Sequence, residues 1–226
     1  MFEKSVLAAV MATVIGITGG LAFADTGNTV TGEISITRKN GTPKNYRANV
    51  VVFLEPAAGN ASYAAPTEEI VVSQRGRRFR PSVLPVLRGQ SLAFPNDDKV
   101  LHNVFSLSKT RPFDLGNYNK GESRSVILDT PGLVNVYCNI HPQMTLDVLV
   151  LNNPWFVKTK KEGTFSISGV PDGDYTLRVW NELSDEQSIQ ISLSGGQTQS
   201  HNIQLVETKV RPPHNNKFGK GYRGKY

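Results

Sequence analysis

The sequence predicts an all-β fold, an antiparallel sandwich or barrel. Three observations carry that expectation. Short runs rich in β-branched and aromatic residues recur along the chain, turns marked by Gly and Pro separate them, and no long stretch keeps the 3.6-residue apolar period of a helix. Close spacing of short strands favours antiparallel pairing, because parallel strands need long crossover connections.

Before the first strand, the opening 24 residues, MFEKSVLAAVMATVIGITGGLAFA, have the layout of an export signal. Lys4 precedes an apolar stretch from Val6 to Leu21, and Ala22-Phe23-Ala24 is an A-x-A pattern that predicts cleavage after Ala24. Gly16, Gly19 and Gly20 interrupt the apolar stretch, which is short for a bilayer span. A cleaved signal peptide, a periplasmic or secreted mature chain and no transmembrane anchor are therefore expected.

The strands then follow in order. TVTGEISI and ANVVVFLEP are β-branched runs joined by TRKNGTPKNYR, whose Asn-Gly and Pro mark a turn or loop. After a small-residue segment come EEIVVSQ, RRFRPSVLPVLRG, QSLAFPN, HNVFSLS, RSVILDTPG, LVNVYCN and MTLDVLVL. Residues 25–151 are read as one domain, with N-terminal strands at 27–56 and a core at 67–151. A second unit at 152–206 is predicted from NNPWFVKTKKEGTFSISGVPDGDYTLRVW and QSIQISLSGGQTQSHNIQL, five strands around Lys-Lys-Glu-Gly, Pro-Asp-Gly-Asp and Gly-Gly turns. So small a unit buries little surface alone and is expected to pack on its neighbour.

Charge is unevenly placed. The formal net charge is +6, and residues 207–226 carry Lys209, Arg211, Lys217, Lys220, Arg223 and Lys225 against Glu207 alone, leaving the rest of the mature chain at +1. The basic balance thus describes a tail and gives no reason to expect a specific nucleic-acid fold. With few apolar groups, Pro212-Pro213 and repeated glycines, the tail is predicted to be disordered and suited to an acidic partner or an anionic surface.

Chemistry concentrates in VYCNIHPQM, which holds the single cysteine, Cys138, followed at three-residue steps by His141 and Met144. A lone thiol in an oxidising compartment has no internal disulfide partner and needs another occupant. Upstream, His102 in FPNDDKVLHNVFSL is the histidine a sandwich can bring beside the loop. One thiolate, two imidazoles and a thioether form the ligand set of a type 1 (blue) copper site, with Cys and both His in a trigonal plane and Met as weak axial ligand. Zinc would accept Cys138, His102 and His141 but gains nothing from Met144. Asn96, Asn103 and Ile140 are candidates to hold the ligand loops by hydrogen bonds. Asp97-Asp98 reads as a solvated loop, His201 as a surface strand residue, and His214 as part of the tail. Two histidines outside the proposed set are too few for a catalytic copper cluster. No Ser-His-Asp order, paired-carboxylate motif or phosphate loop supports an enzyme.

HNVFSL followed by VYCNIHPQM resembles the copper-binding signature of cupredoxins of the plastocyanin and amicyanin type, and C-x-x-H-x-x-M matches the short amicyanin loop in length. FPNDDKVLHNVFSLSKTRPFDLG, ESRSVILDTPGLVNVYCNIHPQM and GTFSISGVPDGDYTLRVW also resemble exported bacterial proteins labelled methylamine utilization proteins. Those join a cupredoxin-like domain to a carboxypeptidase-regulatory-like domain. The resemblance implies a Greek-key cupredoxin sandwich followed by a small transthyretin-like sandwich. It also implies one copper cycling between Cu(II) and Cu(I), electron exit through His141 and Pro142, and redox proteins as donor and acceptor. One departure is plain: such loops usually place proline before the ligand histidine, and this chain has Ile140, whose backbone N–H remains available to the sulfur. The expected function is single-electron transfer in the periplasm. Copper storage, delivery or sensing through the same residues, and a structural role with an empty fold, are the alternatives.

Overall fold

The computed structural model describes residues 27–59, 63–211 and 213–222. The predicted leader, 1–24, and its cleavage site lie outside the described residues, as does the end of the tail from residue 223. No helix occurs among the described residues, so none is long and apolar enough to cross a membrane.

The chain begins with β1 (Asn28–Arg38) and β2 (Val51–Pro56). In β1, Val30, Ile34 and Ile36 alternate inward, as the two-residue period of a strand demands. Next come the short β3 (Ile70–Val71), β4 (Ser73–Gln74) and β5 (Phe79–Arg80), then β6 (Val83–Leu87), β7 (Gln90–Pro95) and β8 (His102–Ser106). β9 (Phe113–Tyr118), β10 (Ser123–Leu128), β11 (Gly132–Tyr137) and β12 (Thr145–Leu151) complete the middle of the chain. β13 (Phe156–Lys158), β14 (Thr164–Val170), β15 (Gly173–Trp180), β16 (Gln187–Leu193), β17 (Thr198–Ser200) and β18 (Ile203–Glu207) follow.

Strands β3 to β12 make one sandwich. A five-stranded sheet in the order β6-β12-β11-β8-β9 faces a three-stranded sheet, β10-β7-β3. Between them lies a core that includes Leu92, Phe94, Val104, Leu128, Val136 and Leu146.

The remaining strands make a second sandwich, and here the predicted boundary is corrected. β1 and β2 do not belong with the middle strands. β1 pairs antiparallel with β14 and parallel with β17 and β18, while β2 lies between β13 and β15. Their core joins Val30, Ile34, Val52 and Leu54 to Phe165, Leu177 and Leu205, from opposite ends of the chain. The middle sandwich is thus an insertion between β2 and β13. At the β1 crossing Gly32 is required, because a Cβ there would lie 1.9 Å from the carbonyl oxygen of His201.

The two sandwiches share a third apolar cluster. Val52 and Leu54 face the second core, while Val51 and Phe53, on the other side of β2, meet Val83, Leu149 and Leu151. β12 shows the same division: Leu146, Val148 and Val150 enter the middle core and Leu149 and Leu151 enter the shared cluster. This explains why MTLDVLVL reads as a continuous apolar run, since both faces of the strand are covered.

Candidate metal centre

His102 opens β8, and Cys138 follows the last residue of β11, on the neighbouring strand of the same sheet. Met144 precedes β12, so residues 138–144 form the connection of the β11–β12 hairpin. The Cys138 N–H donates to the Met144 carbonyl at 3.3 Å and the Met144 N–H to the His141 carbonyl at 3.0 Å, closing the loop on itself. Between Asn103 and Phe105 the β8–β9 register shifts, an irregularity of the kind that re-aims side chains beside functional sites.

The result is a compact donor triangle. His102 Nδ1 and His141 Nδ1 are 3.2 Å apart, and the Cys138 sulfur lies 3.9 Å from the first and 3.7 Å from the second. Among the described residues these three are the group of His, Cys, Asp and Glu side chains able to hold a metal ion. A point about 2.1 Å from all three atoms exists in their plane, close to ordinary metal–nitrogen and metal–thiolate lengths. His102, Cys138 and Met144 are 0 % exposed and His141 is 6 % exposed. Two imidazole rings and a cysteine sulfur packed this closely without solvent fit a soft cation, and the buried thioether of Met144 in the same core fits a copper donor set.

A hydrogen bond from outside the triangle fixes His102. The His102 Nε2 contacts Asp98 Oδ2 at 2.9 Å, so a proton held there leaves Nδ1 with its lone pair directed at the centre. Asp98 in turn accepts the backbone N–H groups of Gly76 and Arg77 at 2.7 and 2.8 Å. Burial opposes ionisation of Asp98, but these two N–H groups and His102 hold its carboxyl below the ordinary value. Burial pushes His102 down, and hydrogen bonds and charge from Cys138 and Asp98 outweigh it, raising the imidazole overall. Burial, the His102 charge and the Arg77 charge lower His141.

For Cys138, burial pushes the thiol up, and His102 together with the backbone N–H groups of Asn103, Ile140 and His141 brings it below its usual value. The Ile140 N–H, which a proline would lack, is thus among the groups that favour the thiolate. Asn96 braces the preceding loop: its amide donates to the carbonyls of Val100 and Tyr118 and its oxygen accepts the Asp98 N–H. The Asn103 side chain donates to Asp114 at 2.7 Å. Pro142 is half-buried beside His141.

Two features were not visible in the sequence. Asp98, read there as a solvated loop residue, is the carboxylate that orients His102. Its position four residues before the histidine was the available signal. The tail is the second. Residues 213–222, expected to be disordered, lie against the ligand loop, and His214, expected only as part of that tail, is at the centre of the contact. The His214 ring stacks on Tyr137 at 4.0 Å with 14° between planes, and its Nε2 donates to the Pro142 carbonyl at 2.7 Å. Tyr222 meets His214 edge-on and donates its hydroxyl to the Cys138 carbonyl at 2.7 Å. Lys217 contributes a backbone N–H to Asn139 at 3.0 Å and an ammonium to Asp114 at 2.7 Å. Before them, Arg211 pairs with Asp147 and Glu182. Ring stacking and charge-assisted bonds replace the apolar core that the tail lacks.

Removing residues 212–226 takes away the bonds to Pro142, Asn139 and Cys138. Unfolding free energy of the metal-free protein is expected to fall by about 1.5–4.5 kcal/mol, at roughly 0.5–1.5 kcal/mol per hydrogen bond. Alkylation of Cys138 by iodoacetamide should also accelerate. Equal alkylation rates in both proteins would show that the tail does not secure the loop.

No protein-family model matches the chain, and no curated protein does. Solved structures similar to it include a Cu-containing nitrite reductase (NirK) from Thermus scotoductus SA-01, 24% identical over 44% of this chain and 26% of its own, with a TM-score of 0.37. A purple cupredoxin from Nitrosopumilus maritimus is 21% identical over 37% of this chain and 100% of its own, with a TM-score of 0.34. A methionine-to-alanine mutant of amicyanin in the Cu(I) form is 19% identical over 43% of this chain and 98% of its own, with a TM-score of 0.35. The chain spans about a quarter of the length of the reductase. At these scores the likeness carries no functional conclusion.

Proposed function

We propose that the protein is an exported single-electron carrier that binds one copper ion through His102, Cys138, His141 and Met144. The observation that carries this reading is the buried triangle of two imidazole nitrogens and one sulfur. Copper bound there supplies one-electron chemistry by cycling between Cu(II) and Cu(I).

The chain's own residues do the rest. Hydrogen bonds across residues 138–144 and the Asp98 contact hold the donors in one arrangement, which suits a metal that must change charge without moving its ligands. Burial excludes water and competing ligands. His141 is the one nitrogen donor with exposed surface, which favours it, with Pro142, as the edge for electron exit. Storage or delivery of copper is less well served by donors buried under a packed tail, since a delivery site must open to its acceptor. The second sandwich, whose sequence resembles carboxypeptidase-regulatory-like domains, serves in this reading as the frame on which the copper unit is inserted.

Ile140→Pro tests the role of the loop N–H. Losing a donor to the sulfur removes stabilisation from the more electron-rich Cu(I) state, so the reduction potential of the copper-loaded protein is expected to fall. An unchanged or higher potential by voltammetry would refute the assignment of that hydrogen bond.

A further inference from the structure

The hairpin joining β4 and β5 carries Arg75, Arg77, Arg78 and Arg80 within six residues and no acidic residue. All four are exposed, and none makes an ion pair with any described residue. The net charge of +1 for the mature chain before the tail therefore conceals a cluster of four arginine side chains at one turn. Lysine would solvate such a surface equally well, whereas the planar guanidinium is suited to bind carboxylates in pairs of hydrogen bonds.

The turn is also held in an unusual conformation. Gly76 has φ +67° and Arg77 φ +54°, and the Arg75 N–H donates to the Arg78 carbonyl at 3.1 Å, the geometry of a two-residue type I′ hairpin. Asparagine and glycine suit that conformation, and arginine pays a steric penalty there. Backbone strain retained at an exposed side chain points to use of the side chain.

Position completes the case. The Gly76 and Arg77 N–H groups bind Asp98, whose other contact is His102 Nε2, so the turn is rigidly tied to the candidate metal centre. Arg78 and Arg80 line a shallow hollow together with Gln143 of the ligand loop, two residues beyond His141.

We propose that this arginine hairpin, with the adjoining edge of the ligand loop, is the docking face for a redox partner protein that presents clustered carboxylates. The class of partner rests on the electron-carrier reading, while the acidic character of its surface rests on the hairpin alone. Docking there sets the partner beside His141, where an electron has the shortest exit. An anionic membrane fits less well, because the turn has no exposed apolar side chain to insert.

The test uses the full mature chain and a variant, Arg75→Gln/Arg77→Asn/Arg78→Gln, in which asparagine keeps the left-handed backbone. Polyglutamate titrated into isotope-labelled, metal-free protein should shift the amides of residues 75–80 and 139–143, and the variant should bind at least about fivefold more weakly at low salt. Shifts confined to the tail, equal binding by the variant, or binding only to anionic vesicles and not to polyglutamate would overturn the proposal. In the copper-loaded protein, Cu(I) gives one electron to hexacyanoferrate(III), reducing Fe(III) to Fe(II). That rate should fall about tenfold in the variant at low salt, while the rate with cationic tris(phenanthroline)cobalt(III) rises. Rates unchanged with both reagents would also overturn it. A protein that shows the amide shifts but never takes up copper keeps the acidic-partner surface and loses the redox reading, so the two failures are distinguishable.

Discussion

Addition of Cu(II) to the mature protein is expected to produce an intense blue thiolate-to-copper absorption band and a narrow copper hyperfine splitting in the electron paramagnetic resonance spectrum. Both should disappear in Cys138→Ser. The expectation follows from a sulfur that His102 and nearby backbone N–H groups hold below its usual pKa against the effect of burial, and two Nδ1 atoms 3.2 Å apart beside it. Because hydrogen bonds across residues 138–144 and the Asp98 contact hold the donors, copper should stabilise the folded chain. At a free concentration one hundred times the dissociation constant the gain is about 2.7 kcal/mol, visible as a rise in melting temperature that Cys138→Ser lacks. A colourless protein, or one with only ordinary square-planar copper signals, would remove the electron-carrier reading.

Leu54→Ala should destabilise the protein by about 2–5 kcal/mol, yet leave the copper spectrum of the folded protein unchanged. Leu54 is fully buried on β2, and its neighbours are in the second sandwich, including Leu177 of the facing β15. Leu146→Ala, an equally buried truncation in the middle core beside Cys138 and Met144, should cost a similar amount and also weaken copper binding. Urea unfolding and copper titration of the two variants separate the effects. If Leu54→Ala perturbed the blue spectrum as strongly as Leu146→Ala, the assignment of β2 to the second sandwich would not describe the protein in solution.

How far the sequence could be read depends on the range of each interaction. The strand periods of β1, β14 and β15 come from alternation within a few residues, and so do the turns at Gly163 and Gly173. His141, Met144 and Cys138 share one short loop, so their chemistry was legible as a group. His102 was recoverable because few histidines exist to choose from. Asp98 was missed because a carboxylate in a polar loop looks the same in sequence whether it faces water or an imidazole. The tail was misjudged for a related reason. Composition predicts whether a segment can form its own core, and His214 and Tyr222 need none, since they dock on Tyr137 and on carbonyls of the loop at 138–144.

The domain boundary shows the same limit in a larger form. β1 and β2 precede the inserted sandwich by position, and nothing local distinguishes a strand that pairs with its successor from one that pairs with a strand more than a hundred residues away. Local chemistry was sufficient for the all-β class, the turns and a choice of candidate donors, because side-chain period, turn preference and metal-ligand type are properties of short segments. Partner strands, the insertion, the Asp98 contact, the tail over Cys138 and the arginine turn beside His141 required the folded chain. Each of these is a choice among distant groups with similar local propensities, and burial of one shared core settles which of them meet.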